Sequence, residues 1–357
     1  MNINESLQAD ISALPVSPGD KDSLAGVGAV VRVAGDDGRV AVEIILGFPA
    51  DASQERYRMA VAEVVQRHGA ELARFELRSR ITAHAVQPRL SPLQKVRNII
   101  AVGSGKGGVG KSTTAVNLAL ALAADGARVG VLDADVYGPS VPMMLGLSGR
   151  PDSPDGKSIE PMRAHGIQAM SIGLLVEQDT PMIWRGPMAT SALTQLLNDT
   201  RWDDLDYLLI DLPPGTGDIQ LTLAQKIPVA GAVIVTTPQD VATLDAKKAL
   251  KMFEKVEVPV LGLVENMAVH VCSNCGHAEH VFGEGGGQRM ANQYGVPLLG
   301  SLPLELAIRE QGDAGVPVVV AAPDSAAAQA YRDAARQLAI ALAQRPRVTP
   351  SISASLL

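Results

Sequence analysis

The sequence predicts an α/β fold, in which a small N-terminal α/β domain precedes a doubly wound, mostly parallel sheet. From residue 97 onward strand and helix signals alternate, as in chains that cover a parallel sheet with helices on both faces. A glycine-rich segment at residues 105–110 separates the first of these strands from a helix at 113–124. Hydrophobic residues make up 46% of the 357 residues and aromatic residues only 3%. This aliphatic composition suits strands that are buried on both faces.

The first 85 residues predict the small α/β domain. Residues 1–22 are polar and contain prolines, so we expect a mobile arm there. The quartet Gly35–Gly38 is a strong turn signal between two apolar stretches. The expected elements are strands at 27–33, 39–46 and 75–81 and a helix at 54–68.

A proline-bearing linker, residues 86–96, is expected to join this domain to the larger one at 97–345. The remaining residues, 346–357, predict a disordered tail. The strand candidates of the larger domain are 98–102, 128–132, 167–172, 207–211, 231–236, 260–265 and 297–301.

Composition excludes several classes of function. The net charge is −7 and no lysine/arginine cluster is present, so nucleic-acid binding is not expected. Two cysteines rule out a disulfide framework. The N-terminus lacks a secretory pattern, and no apolar run approaches the ~20 residues that span a bilayer. We therefore expect a cytoplasmic protein that binds no membrane.

The segment from residue 105 to 112 fits the phosphate-binding loop pattern G-x-x-x-x-G-K-[ST]. Its glycine backbone can direct successive N–H groups at one anion, and the helix that follows adds its positive end. Lys111 is expected to reach the β- and γ-phosphates of ATP, and the Ser112 hydroxyl to hold Mg²⁺. The predicted nucleotide contacts here are Gly105, Lys106, Gly107, Gly108, Val109, Gly110, Lys111, Ser112 and Thr113.

Acidic residues end two of the predicted strands. Asp133 and Asp135 follow the strand at 128–132, and either carboxylate could contact Mg²⁺ through water or orient the attacking water. Asp211 ends an apolar strand and is the candidate for the second Mg²⁺ contact. It opens a Pro/Gly-rich run in which the N–H of Gly215 could meet the γ-phosphate, so the run is a candidate switch.

Two further strand ends carry candidate nucleotide contacts. Pro238 follows the strand at 231–236, and Asn266 follows the strand at 260–265. The Asn266 amide offers both a donor and an acceptor to the edge of an adenine base.

Both cysteines lie in one C-x-x-C segment, Cys272 and Cys275, directly after a predicted strand. Three interpretations remain open from the residues alone. The pair could share a [4Fe–4S] cluster with a second copy of the chain, because such a cluster takes four thiolates. It could bind zinc with nearby histidines, or form a redox pair. The histidines considered for zinc are His270, His277 and His280.

Several motifs together resemble a known family. The loop K-G-G-V-G-K-S, beginning at Lys106, is similar to that of the deviant phosphate-loop family, which includes ParA, MinD and the nitrogenase iron protein. The motifs D-A-D-V-Y-G-P-S from Asp133, D-L-P-P-G-T-G-D from Asp211 and E-N-M-x-x-x-x-C-S-N-C-G from Glu265 resemble those of the Mrp/ApbC-type iron–sulfur carrier ATPases. Weaker similarities are W-R-G-P from Trp184 and the glycine-rich segment at 282–287, which we interpret as a flexible loop. The resemblance covers residues 95–343.

The resemblance implies a homodimeric, slow Mg²⁺-dependent ATPase that carries a labile [4Fe–4S] cluster from an assembly scaffold to apo-proteins. It implies that Lys106 reaches the partner's nucleotide and that Cys272 and Cys275 hold the cluster with their counterparts. The first 85 residues resemble the small iron–sulfur-assembly domain found in bacterial members, but contain no cysteine. Two alternatives remain: a ParA/MinD-like positioning ATPase and a nucleotide-binding scaffold with structural zinc.

Overall fold

The computed structural model describes residues 3–17, 22–36, 38–175 and 186–348. Within these ranges the chain forms two sheets, a small one near the N-terminus and a large one that carries the phosphate-loop motif. This confirms the mixed α/β class that the sequence predicts. None of the described helices combines the length and the apolarity needed to cross a bilayer.

The small sheet has the order β1-β2-β3, with β1 antiparallel and β3 parallel to the central strand. Every second residue of the central strand is buried, which is the pattern of a sheet covered on one face. The elements are α1 (Ile3–Ser12), β1 (Val30–Asp36), β2 (Arg39–Leu46), α2 (Gln54–Arg67) and β3 (Glu71–Ser79).

The prediction of a mobile arm at residues 1–22 is wrong for most of the residues in this range that the structure describes. Residues 3–12 form helix α1, in which Leu7 and Ile11 are fully buried. The Tyr57 hydroxyl of α2 donates to the carbonyl of Val16 at 2.8 Å, which fixes the segment after the helix. The sequence pattern did not predict this helix, because only two of its apolar side chains face the core.

The large sheet has the order β12-β10-β9-β4-β8-β5-β7-β6. Its neighbours run parallel except β6, which is antiparallel to β7, and a short strand β11 extends one end of β10 antiparallel. The strands are β4 (Val96–Ser104), β5 (Val129–Asp133), β6 (Met162–Ala164), β7 (Ile167–Ser171), β8 (Leu205–Asp211), β9 (Gly231–Thr236), β10 (Val260–Val271), β11 (Ala278–Glu279) and β12 (Leu298–Pro303).

Buried apolar residues form two clusters, one of which also includes the core residues of the small sheet. Helices cover both faces of the large sheet. They are α3 (Lys111–Ala124), α4 (Val141–Met144), α5 (Gly186–Asp199), α6 (Asp218–Lys226), α7 (Asp240–Lys255), α8 (Gly286–Tyr294), α9 (Leu306–Asp313), α10 (Val318–Ala321) and α11 (Ala326–Ala343). All seven predicted strands are present. Strand β10 differs most, because it continues past the predicted end at residue 265 to Val271.

The linker predicted at 86–96 is held against the larger domain. The Gln87 amide donates to the carbonyls of Ala224 and Ile227 at 2.7 and 3.1 Å and accepts from the Val229 N–H at 2.8 Å. The buried His84 bonds to Asn98 of β4. A segment expected to be linker is therefore anchored by side-chain hydrogen bonds.

The tail predicted to be disordered begins with ordered residues. The N–H of Ala85 donates to the Pro346 carbonyl, and the N–H of Val348 donates to the Ala83 carbonyl. The disorder expectation is thus wrong for residues 346–348, because backbone hydrogen bonds hold them against residues 83–85. Residues 349–357 lie outside the described residues.

Replacing Ile11 by alanine should lower the free energy of unfolding by about 2–5 kcal/mol, because the change leaves a cavity under α1. Ile3→Ala in the same helix is the matched control, since Ile3 is 47% exposed and should change stability by less than about 0.5 kcal/mol. Urea unfolding measures both. Equal, small effects would show that α1 does not belong to the core.

Candidate functional site

The phosphate loop connects the end of β4 to the start of α3, and two of its glycines are sterically required. A Cβ at Gly105 would overlap the backbone at Asp245 of α7. A Cβ at Gly110 would overlap the side-chain amide of Asn266, and Gly110 has a φ of +79°, which disfavours other residues. The loop is thus clamped between α7 and β10.

A buried ion pair lies behind the loop. The Lys111 ammonium donates to Asp211 Oδ1 at 2.5 Å and to Ser112 Oγ at 3.3 Å. Burial raises the pKa of Asp211, while Lys111 opposes this rise. The strand β8 places Asp211 here because an apolar run ending in one acid puts that acid at the carboxyl edge of the sheet.

The loop encloses a cavity of about 220 Å³, and Lys106, Pro214 and Asp135 also line it. Asp135 Oδ2 lies 3.9 Å from the Lys111 ammonium. The amide groups and the two lysines make this cavity suitable for a phosphate chain.

Asp133 lies beneath this cavity without lining it. Its carboxylate accepts from the N–H groups of Asp135 and Val141 and from the Ser171 hydroxyl, at 3.1, 3.2 and 3.1 Å. Burial, with Asp211 nearby, raises the pKa of Asp133 to about 7. Of the two acids that the sequence left as alternatives, Asp135 is therefore the one beside the loop, and Asp133 positions the segment that carries it.

The residues at the loop fit a Mg²⁺ ion held jointly with nucleotide phosphates. Asp211 Oδ2 is buried and has no hydrogen-bond partner in the described part of the chain. The described residues also contain no group of three His, Cys, Asp or Glu that would hold a metal alone. One carboxylate and one hydroxyl are the usual protein contribution to such an ion.

The candidate switch begins directly after Asp211. The N–H of Gly215 donates to the Ser104 carbonyl at 3.1 Å, so a γ-phosphate contact would require this bond to open. Gly215 has a φ of +97°, as its turn requires. The nearby Pro214 lines the phosphate cavity.

A second cavity, of about 330 Å³, adjoins the loop on the other side of Gly110. Asn266 lines it and donates to the Val109 carbonyl of the loop at 2.9 Å. The next residue, Met267, has a φ of +57° and lies at an irregularity in the pairing with β12. This bulge turns Asn266 toward the loop.

Glu265 begins one of the motifs that carry the family resemblance, but no role was predicted for it. It is buried and accepts from the N–H of Gly287 at the start of α8, at 2.7 Å. A Cβ on Gly286 would overlap the carbonyl of Pro238. The flexible loop expected at 282–287 therefore ends in a closely packed helix start, and Pro238 supports it without lining either cavity.

The cysteines lie in the turn between β10 and β11. The N–H of Cys272 donates to the His277 carbonyl at 2.9 Å, and the N–H of Gly276 donates to the Cys272 carbonyl at 2.8 Å. Both thiols are free, and Cys275 is exposed. Backbone N–H groups of Cys275 and Asn274 directed at the Cys272 sulfur lower its pKa, which favours the thiolate that binds metal.

The nearby histidines do not complete a zinc set with the cysteines. His270 Nδ1 is bonded to the Leu304 carbonyl at 2.9 Å, and His280 Nδ1 to the Ala268 carbonyl at 2.7 Å. Within the described ranges these groups form no metal-ligating cluster of three or more.

A family model decides the class of the chain. The model described as ParA, NUBPL iron-transfer P-loop NTPase, matches residues 95–339. The chain belongs to this family. Membership confirms the resemblance drawn from the motifs, and members of this family are nucleotide-binding ATPases with the doubly wound sheet described above.

Three relatives whose names state a function align with most of the chain. The iron-sulfur cluster carrier protein of Pseudomonas fragi is 60% identical over 75% of this chain and 94% of its own length. That of Escherichia coli K12 is 52% identical over 92% of this chain and 90% of its own length. Mouse iron-sulfur cluster transfer protein NUBPL is 51% identical over 72% of this chain and 82% of its own length.

Solved structures support the family fold. A nucleotide-binding protein from Archaeoglobus fulgidus, in complex with ADP, has a TM-score of 0.56 and 41% identity, covering 62% of this chain and 87% of its own. The cell division ATPase MinD of Pyrococcus furiosus is similar in fold, with a TM-score of 0.50, 24% identity and coverage of 68% and 98%.

Replacing Gly110 by alanine should weaken Mg·ADP binding at least about tenfold, because the new methyl group displaces Asn266 and strains the loop. Gly149→Ala is the matched control: Gly149 also has a positive φ but open space around its Cα. Calorimetric titration measures both affinities. Unchanged affinity in Gly110→Ala would contradict the clamped loop.

The raised pKa of Asp133 predicts a pH dependence of stability. The folded protein binds the Asp133 proton more tightly than the unfolded chain does. Protonation of Asp133 therefore stabilises the folded state below pH 4, and this stabilisation is lost as pH rises toward 7. Between pH 5 and 8 the nucleotide-free protein should lose about 1–3 kcal/mol of unfolding free energy relative to Asp133→Asn. Urea unfolding of both proteins tests this; parallel pH profiles would contradict it.

Proposed function

We propose that this protein is an ATP-hydrolysing carrier that holds a [4Fe–4S] cluster between two copies of the chain and transfers it to apo-proteins. The observation that supports this proposal most directly is the turn at the end of β10. This turn presents two free thiols, of which Cys275 is exposed and Cys272 has a lowered pKa. Names of relatives at 51–60% identity support the same role.

Two thiols cannot saturate a four-iron cluster, which takes four thiolates. The chain contains no other cysteine. A second copy supplies the missing pair, so the cluster as cargo is bound across a homodimer. The exposed position of Cys275 leaves the cluster accessible to a scaffold that loads it and to a client that removes it.

ATP occupies the two cavities beside the phosphate loop. The phosphates lie in the smaller cavity with Lys111, Ser112 and the loop N–H groups. Ser112 and Asp211 would hold Mg²⁺, which would neutralise phosphate charge. Asp135 orients the attacking water. The base lies in the larger cavity, where the Asn266 amide recognises its edge.

Lys106 completes the partner's nucleotide site in this proposal. It lines the phosphate cavity at the outer end of the loop and is partly exposed, so it is available to a facing subunit. A cation supplied by the partner stabilises the transferring phosphoryl group only in the closed dimer. Dimer closure then links hydrolysis to cluster exposure, and turnover is slow.

The cluster assignment is tested with Cys272→Ser/Cys275→Ser. After anaerobic reconstitution with iron and sulfide, the wild type should hold about two irons per chain in a dimer, and the double variant should hold none. Nucleotide binding should be unchanged, because neither cysteine lines the two cavities beside the loop.

His277→Ala/His280→Ala is the matched control, since it removes two zinc candidates from the same turn. It should retain the iron, sulfide and visible absorption of the wild type. A double cysteine variant that still binds the cluster would overturn the proposal. Loss of stoichiometric zinc in the histidine variant would instead support a structural zinc site.

A further inference from the structure

A third cavity, of about 580 Å³, lies at the junction of the two domains, and none of its lining residues lines the two cavities beside the phosphate loop. Ser17 and Arg56 line it from the small domain, and Asp125, Arg332 and Arg336 line it from the larger one. The junction is tight beside it: the Asp51 N–H donates to the Asp125 carbonyl at 3.2 Å.

Three arginines, Arg56, Arg332 and Arg336, line this cavity, and each has one guanidinium nitrogen without an acceptor. Arg56 Nη2, Arg332 Nε and Arg336 Nε are shielded from solvent, and no described residue accepts a hydrogen bond from any of them. Buried polar groups in folded proteins nearly always have partners, and a buried charged donor is costly without one. Because the three side chains line one cavity, a rotation of each would bring its unmet donor to an anion bound there.

The charges of the lining favour an anion. Three guanidinium groups face two carboxyl groups, and Asp333 is already engaged by Arg336 at 3.0 Å and by Gln329 at 3.0 Å. The second acid, Asp125, carries a pKa that burial raises, against the pull of Arg336 and Arg332. Arg336 also donates to the Ser17 hydroxyl at 3.1 Å, which holds its side chain at the cavity.

We propose that this cavity binds a phosphate monoester, and that the ligand bridges the small domain and the ATPase domain. A phosphoryl group offers three terminal oxygens, which matches three separate arginine donors better than the two oxygens of a carboxylate. The volume exceeds that of inorganic phosphate and lies within the range of small-molecule sites. The ligand is therefore a small phosphorylated metabolite, with free phosphate as the weaker occupant.

The cavity is connected to the phosphate loop through the packing of two helices. Helix α11, which carries Arg332 and Arg336, packs against α3, the helix that begins at Lys111. A ligand seated between Arg56 and α11 restrains the small domain relative to that helix.

The test is calorimetric titration of the full chain with glycerol 3-phosphate and, separately, with inorganic phosphate. Saturable binding is expected for both, tighter for the ester. Arg332→Gln and Arg56→Gln should each weaken binding by roughly tenfold or more. Arg163→Gln, a surface arginine paired with Asp203, is the matched control and should bind like the wild type.

Lys111→Ala separates this site from the phosphate loop, because it should leave unchanged the binding that Arg56→Gln and Arg332→Gln weaken. Absence of binding, equal binding in the Arg56 and Arg332 variants, or loss confined to Lys111→Ala would each overturn the proposal. Thermal unfolding of each variant checks that it is folded; if Arg332→Gln is not, Arg56→Gln and Arg56→Lys carry the test.

Discussion

Strand β10 joins the two halves of the candidate site. In its middle, Asn266 donates to the Val109 carbonyl of the phosphate loop, and at its end the chain turns through Cys272 and Cys275. The bulge at Met267 lies between these points and directs Asn266 toward the loop. A displacement of the loop would act on Asn266 through this hydrogen bond, and β10 leads from Asn266 to the cysteine turn.

The electrostatics at the loop prepare it for a charged ligand. Lys111 is bonded to Asp211, so two opposite charges are buried together and compensate each other. The partnerless Asp211 Oδ2 marks where a further cation adds a favourable contact. Incoming phosphates and Mg²⁺ would divide this pair, with Lys111 turning to the phosphates and Asp211 to the metal. Such an exchange costs less than burying each charge alone.

The sequence predicted much of the fold because its signals are local. Seven strands of the larger domain were located, since a strand buried on both faces is a continuous aliphatic run, and the loop motif fixes the order strand, loop, helix. The errors lie where distant partners decide. Helix α1 is held by contacts with the small sheet, Gln87 by residues more than a hundred positions away, and residues 346–348 by pairing with 83–85. No local pattern reports such partners.

The same distinction holds for the site. The motif predicted Lys111 and Ser112 as site residues, and the strand ends predicted Asp211 and Asn266. The choice between Asp133 and Asp135 needed coordinates, because both lie at the end of β5 but only Asp135 lines the cavity. Glu265 carried one available signal, a lone acid in an apolar strand, which predicts a buried partner. The arginines of the junction cavity come from both ends of the chain, and no sequence signal marked them as neighbours.

Hydrogen–deuterium exchange at the cysteine turn tests the central claim, that β10 couples the nucleotide loop to the cysteines. Saturating Mg·ATP should slow exchange of the Cys272 and Gly276 amides in the wild type, because an ordered loop stiffens the strand end. In Asn266→Ala, at saturating nucleotide, this slowing should disappear. Equal exchange at the turn with and without nucleotide in the wild type would contradict the account.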